Sequence, residues 1–282
     1  QSPQITVPAI IPTGIVSGTY TLPIPTVNGP VTYVVTGLPR GLAINQATGI
    51  IGGKPQVYGD FTITVKATNA AGSTPVISFP MHVLATPASA RGTFTGLIQR
   101  DATFNEGFGG LLTFKSSSLG SLTGTVKLGG TSLNIPITGQ LEVPVNGGSP
   151  TAHVVIPRTG KPALVLDLTL NSGSIGHFLA SLTVDQPGGA SINFDGYRHP
   201  WTADATAGKY AGRYTAAYDQ PDNAALLPQG SGFSALTCDV NGVVNWAGKL
   251  ADGTPFTGSS TLWSTAQMPV FQMLYLGKGS II

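Results

Sequence analysis

The sequence predicts an all-β protein of more than one domain, and three observations predict it. First, apolar and polar residues alternate: in Phe61-Thr-Ile-Thr-Val-Lys-Ala-Thr68, Phe61, Ile63, Val65 and Ala67 fall on one face and Thr62, Thr64, Lys66 and Thr68 on the other, the period of a half-buried strand. Second, pairs that tolerate positive φ punctuate the chain at Asn28-Gly29, Asn146-Gly147, Asp195-Gly196, Asn241-Gly242 and Asp252-Gly253, which reads as a series of tight turns. Third, 38 glycines and 22 prolines among 282 residues leave few helix interiors intact.

Charged residues make up 9% of the chain, far below the roughly 25% of an ordinary soluble domain. Thr, Ser, Asn and Gly must therefore cover the surface, as suits an extracellular or cell-surface protein. The formal net charge of +2 comes from scattered residues with no Lys/Arg cluster. Neither nucleic acid nor an anionic membrane is expected as a partner.

No run approaches the ~20 apolar residues of a membrane helix, so membrane insertion is not expected. Gln1-Ser-Pro-Gln-Ile-Thr-Val7 lacks the basic and apolar regions of a signal peptide, and export would imply a mature or excised piece. Cys238 is the single cysteine, which excludes an intrachain disulfide and metal sites built from Cys pairs. Alternation sets it opposite in phase to Phe233, as a small strand residue.

The small-residue stretch Ala85-Thr-Pro-Ala-Ser-Ala-Arg91 reads as a linker, so domains are expected at 1–84 and 92–282. In the first, Gly37-Leu-Pro-Arg-Gly41 reads as a corner between strands, Thr48-Gly49 as a turn, Gly52-Gly-Lys-Pro55 as a crossing between sheets and Phe61–Thr68 as a core strand. Tyr33–Ile44, Ala47–Pro55 and Tyr58–Asn69 together resemble the bacterial putative-Ig repeat of large surface proteins, a relative of cadherin-like and Ig-like sandwiches. The resemblance implies an Ig-like sandwich. Some relatives bind calcium through clustered acids, but Asp60 is the only carboxylate in this region, so no metal is expected here.

The second region carries a faint duplication. Gly92-Thr-Phe-Thr-Gly96 matches Gly208-Lys-Tyr-Ala-Gly212 at an offset of 116, and Ile137-Thr-Gly-Gln-Leu141 matches Phe256-Thr-Gly-Ser-Ser260 at 119. Two copies of one β unit are expected, about 92–200 and 201–282. Ala251-Asp-Gly-Thr254 and Leu274-Tyr-Leu-Gly-Lys-Gly-Ser280 are similar to a Gly-rich β repeat of Verrucomicrobia- and Planctomycetes-type surface proteins. The whole reads as an N-terminal Ig-like β-sandwich followed by a duplicated antiparallel β-barrel or sandwich region. The final run, Lys278-Gly-Ser-Ile-Ile282, reads as a strand that either pairs with a neighbour or has been cut from a longer chain.

The search for chemistry yields no catalytic residue, no metal site and no cofactor motif. His82, His153, His177 and His199 each stand alone in the sequence, and no HExxH, Gly-X-Ser-X-Gly, P-loop or dinucleotide pattern occurs. Asp101 with Glu106, and Asp219 with Asp222, are the closest acid pairs and read as turn caps. Lys127, taken to share a face with Leu122 and Gly124, is the candidate for an autocatalytic isopeptide bond.

Aromatics are the better lead. Trp201 closes Tyr197-Arg-His-Pro-Trp201, and Tyr210, Tyr214 and Tyr218 follow at every fourth residue; in a strand these tyrosines would share one face, a stacking platform for sugar rings. Trp246 and Trp263 read as core. The expected function is that of a non-catalytic structural or adhesive surface protein. Its partners would be further copies of itself or neighbouring domains, with assembly into a filament or layer. The alternative is a glycan-binding accessory module of a secreted enzyme, with Trp201, Tyr210, Tyr214 and Tyr218 as the contact surface.

Overall fold

The structure, a computed structural model, describes residues 1–130, 134–171, 173, 176–218 and 230–282. The fold is nearly all β, as expected. Among the described residues no helix is long and apolar enough to cross a membrane.

Ten strands occupy the first region: β1 (Gln4–Ile5), β2 (Gly14–Ile15), β3 (Tyr20–Pro23), β4 (Thr26–Val27), β5 (Thr32–Thr36), β6 (Leu42–Asn45), β7 (Ile50–Gly53), β8 (Gly59–Asn69), β9 (Gly72–Ser73) and β10 (Ile77–Leu84). They form the sheets β2-β10-β8-β5, with β9 on β8, and β3-β7-β6, beside a small β1-β4 pair. Alternation fixes which side is buried. Ile63, Val65 and Ala67 of β8 meet Phe79, Met81 and Val83 of β10, and Tyr20, Leu22 and Ile51 of the other sheet, in one buried cluster. Each large side chain so buried contributes about 1.5–3 kcal/mol relative to exposure.

The predicted corner carries the chain from β5 to β6, and Thr48-Gly49 turns β6 into β7. Asn28-Gly29 is not a hairpin turn. It lies between β4 and β5, which belong to different sheets, with Asn28 at φ 62° and a cis Gly29–Pro30 bond.

Eight strands follow: β11 (Gly92–Ile98), β12 (Gly110–Ser116), β13 (Ser121–Leu128), β14 (Asn134–Gln140), β15 (Thr151–Arg158), β16 (Lys161–Leu170), β17 (His177–Val184) and β18 (Ser191–Arg198). Their sheet order is β14-β13-β12-β11-β18-β17-β16-β15. An isolated bridge between Glu142 and Thr151 joins the end of β14 to β15, so the sheet is a nearly closed barrel. Lys127 is exposed while Leu122, Val126 and Leu128 are buried. An odd spacing from Leu122 puts it on the outer face, contrary to expectation, and the isopeptide candidate loses its buried lysine.

Asp195-Gly196 is not a turn either, but the middle of β18. Gly196 pairs with Gly96 of β11 on one side and Phe178 of β17 on the other. A Cβ on Gly196 would lie 2.6 Å from the Cα of Gly96 and 2.6 Å from Cε1 of Phe178. The two glycines leave the space the Phe178 ring fills, an aromatic covering of bare backbone. Phe178 in turn meets Phe114 edge-on at 5.2 Å, and Phe114 stacks on Phe94 at 4.9 Å.

The remaining strands are β19 (Gly212–Tyr218), β20 (Gly232–Cys238), β21 (Val243–Lys249), β22 (Pro255–Thr261), β23 (Gln272–Leu274) and β24 (Gly279–Ile281). β19 to β22 form an antiparallel meander, and β24 pairs with β23. The final run therefore closes a hairpin within its own chain. Asn241-Gly242 makes the β20–β21 hairpin as predicted.

The duplication is visible in the elements. The strands β19 to β22 start 120, 122, 122 and 121 residues after β11 to β14. Each meander follows a 3-10 turn, Ala88–Ala90 or Gly208–Tyr210. The first sequence match is thus shifted by four: Gly208–Tyr210 belongs to the turn, and Gly92-Thr-Phe-Thr95 corresponds to Gly212-Arg-Tyr-Thr215.

Two compact units divide the chain: residues 1–92 with 115–124 and 137–174, and residues 93–114 with 125–136 and 175–282. In the first unit residues 85–91 are held closely. Thr86 and Ala90 are buried, the Thr86 amide donates to the Ser118 carbonyl at 3.0 Å, and Ser116 Oγ donates to the Ala90 carbonyl. Lys54 pairs with Glu142 and Gln140 donates to Ser17 Oγ in the same unit.

The Lys54 ammonium holds the Glu142 carboxyl below its ordinary range, by hydrogen bonding first and charge second. A carboxyl depressed in the folded state contributes stability above its unfolded pKa and loses it as pH falls through the folded one. Glu142→Gln is therefore expected to remove a small advantage, since exposed pairs contribute little. Urea midpoints of wild type and variant should converge on acidification below the carboxylate range; a gap that widens there would contradict the pairing.

Candidate functional site: an aromatic edge on the second meander

Pairing registers set Tyr214, Ala216 and Tyr218 of β19, Ser234, Leu236 and Cys238 of β20, Val244 and Trp246 of β21, and Phe256 of β22 on one face. Over β20 to β22 that face is covered. Trp246, Phe256 and Leu274 are buried together against Met268, Val270 and Ile281, and Cys238, Val244 and Leu262 against Trp201 and Tyr210. Burial pushes the Cys238 thiol up, and the neighbouring Asp239 adds to it, so the thiol is poorly nucleophilic.

At β19 the cover stops. Tyr214 is 49% and Tyr218 41% exposed, whereas their counterparts Phe94 and Ile98 in β11 are 0% exposed. β18 closes the outer edge of β11, with Phe94 opposite Arg198, Thr95 opposite Tyr197 and Gly96 opposite Gly196. Among the described residues no strand pairs with the outer edge of β19.

The four aromatics singled out from the sequence separate into two roles. Trp201 donates its Nε1–H to the Leu262 carbonyl at 2.8 Å and meets Tyr210 edge-on at 5.9 Å. A Cβ on Gly242 would collide with the Trp201 ring, so this indole packs on the β20–β21 hairpin. Tyr210 lies in the 3-10 turn and not in the strand, with Lys209 Nζ 4.7 Å from its ring centre. Only Tyr214 and Tyr218 share a strand face, because the turn breaks the alternation. Tyr214 Oη donates to the Tyr210 carbonyl at 2.6 Å. Tyr218 Oη lies 2.6 Å from Ser234 Oγ, and its ring is 5.9 Å from that of Phe256. Both phenols are anchored while nearly half of each residue stays exposed. Trp246 and Trp263 are buried, as expected.

Three histidines that stand alone in the sequence gain carboxylate neighbours across a ladder: His82 with Asp60 at 2.6 Å, His153 with Asp167 at 2.7 Å and His177 with Asp195 at 2.9 Å. Register is a long-range property, and linear spacing carries no trace of it. His199 Nε2 lies 3.1 Å from the Asn241 carbonyl.

Asp101 caps the short helix Ala102–Asn105, accepting from the amides of Thr103 and Phe104 at 2.9 and 2.6 Å, so its carboxylate is occupied as a turn cap. Asp219 and Asp222 lie outside the described residues. The stretches at 251–254 and 274–280 meet where Tyr275 Oη donates to Asp252 Oδ2 at 2.6 Å. That hydrogen bond lowers the Asp252 carboxyl and raises the Tyr275 phenol.

The chain carries an Ig-like module, then a nearly closed eight-stranded sheet, then a four-stranded meander in which, among the described residues, no strand pairs with the outer edge of β19. Residues 3–83 match the family model described as "Putative Ig domain", which bears out the resemblance read from Tyr33–Ile44, Ala47–Pro55 and Tyr58–Asn69. No curated protein matches the chain.

Among solved structures, a putative α-galactosidase/melibiase of Bacteroides fragilis NCTC 9343 is 25% identical over 32% of this chain and 19% of its own, with a TM-score of 0.27. A second putative α-galactosidase of that organism is 27% identical over 37% and 21%, with a TM-score of 0.27. The protocadherin GammaB4 extracellular domain is 11% identical over 92% and 48%, with a TM-score of 0.23. The chain thus spans less than half of each of these, and at such TM-scores none bears on what it does.

Proposed function

We propose that the chain is a non-catalytic structural or adhesive module of an extracellular surface protein, acting through its sheet edges and associating with further copies of itself. The observation that carries this reading is the outer edge of β19, a seven-residue strand that no other strand pairs on that side among the described residues, whereas its counterpart in the first meander is closed by β18. The Ig-like match at residues 3–83 and the low charge of the chain support an extracellular setting. The histidines spend their polar contacts on surface aspartates and a backbone carbonyl.

Purified protein incubated with polysaccharide, ester and peptide substrates is expected to show no turnover above buffer while associating with itself. Sustained turnover that co-purifies with the chain would overturn the reading.

One observation favours a glycan-binding accessory module as the second reading: Tyr214 and Tyr218 stand on one strand face, both exposed, with their hydroxyls already held. Exposed aromatic rings offer an apolar surface on which the C–H faces of sugar rings can stack. Under that reading a glycan array gives saturable binding that Tyr214→Ala and Tyr218→Ala each weaken about tenfold or more, on the order of the 1.4 kcal/mol expected from one stacked ring. Binding unaffected by both substitutions would remove it.

A further inference from the structure

The first meander has a strand that the second, among the described residues, does not. β11 is flanked on its outer side by an antiparallel strand, and that contact is the midpoint of the eight-stranded sheet, four strands on either side. β19 occupies the corresponding place in a sheet of four. Edge strands of natural proteins are usually blunted by proline, lysine, a bulge or a covering segment. β19 reads Gly212-Arg-Tyr-Thr-Ala-Ala-Tyr218, with one charge and no proline, and its pairing with β20 runs without a register shift from Gly212 to Tyr218.

The strand is also self-complementary. Antiparallel pairing about Thr215 sets Tyr214 opposite Ala216, Arg213 opposite Ala217 and Gly212 opposite Tyr218. Even residues meet even residues, so the face that carries Tyr214 and Tyr218 stays continuous across the junction. Each large side chain meets a small one.

We propose that β19 is a self-association edge at which two copies of this chain pair antiparallel across a two-fold axis at Thr215. The two meanders then form one eight-stranded sheet, the arrangement the chain builds within itself in β11 to β18. Such an interface is isologous and closed, so it yields a dimer and not an open chain of subunits. The proposal rests on the structural reading above and names its partner and contact surface.

The test is the mass of the 282-residue protein by light scattering and sedimentation over a range of concentrations. A species of twice 28.8 kDa is expected, and Thr215→Pro should return it to one copy by removing an edge N–H and inserting a ring. Because proline could disturb β19 itself, two variants at the exposed Ala217 keep the test sharp. Ala217→Lys faces Arg213 of the other copy twice and should raise the dimer dissociation constant several-fold, whereas Ala217→Glu should lower it, both effects shrinking with added salt. A mass of one copy at every concentration overturns the proposal. So does a dimer indifferent to both charges. A mass of one copy at every concentration would also remove self-association from the structural reading, whereas a dimer indifferent to both charges would leave self-association standing and move it away from β19; the non-catalytic part of that reading is tested separately by turnover.

Discussion

Replacing Gly196 by alanine is expected to destabilise the barrel by about 1–3 kcal/mol or more, the range for overpacking a filled interior. The added methyl would collide with the Thr95 carbonyl oxygen, Cα of Gly96 and the Phe178 ring. β18 is paired on both sides, to β11 and to β17, so the backbone cannot retreat in either direction. Urea unfolding followed by circular dichroism should show a lower midpoint. Gly96→Ala, whose Cβ would lie 2.7 Å from the Asp195 carbonyl oxygen and from Phe178 Cζ, should behave alike. A wild-type midpoint for both would show that the strands stand further apart than the structure places them.

Phe178→Ala should cost more, about 3–5 kcal/mol, as expected for a fully buried phenylalanine. The ring is 0% exposed and lies edge-on to Phe94, Phe114 and Phe194. Its loss opens a cavity against bare glycine backbone that no neighbouring side chain fills. The two substitutions should also be coupled. With the ring gone, part of the Gly196→Ala clash disappears, so the double variant should lose less than the sum of the singles. Strict additivity would mean that the ring does not rest on the glycine pair.

Where burial follows local alternation, the sequence was legible. Phe61–Thr68 buries Ile63, Val65 and Ala67, and Cys238 turns inward while Phe233 is exposed. The Asn241-Gly242 hairpin was also legible, because two strands of opposite phase flank it directly. Asp195-Gly196 was not, since the same dipeptide that favours a turn also serves where two strands must approach closely, and only the partner strands distinguish the cases. Asn28-Gly29 failed for a similar reason: its flanking strands pair elsewhere.

The repeat was detected but misaligned by four residues, because Gly208 precedes a turn and Gly212 opens the strand, and glycine alone does not mark which. That shift changes the meaning of the site. With the correct alignment, Tyr214 and Tyr218 stand where Phe94 and Ile98 are buried, and exposure of the pair becomes a property of a missing neighbour strand. Tyr210, grouped with them by its spacing, and Trp201, grouped with them as a nearby aromatic, pack against the hairpin and each other. The histidine–aspartate pairs were invisible in the sequence because partners such as His82 and Asp60 meet only through ladder register.

Amide hydrogen exchange of residues 212–218, read beside residues 92–98 at low and high protein concentration, tests the account most directly. A strand flanked on both sides should hold its amides at any dilution, so slow exchange of 92–98 is expected throughout. In 212–218 the amides facing away from β20 should exchange rapidly in dilute protein and slow markedly on concentration. Protection of 212–218 equal to that of 92–98 in dilute solution, or rapid exchange that never slows, would contradict an edge left open in the single chain and filled by a second copy.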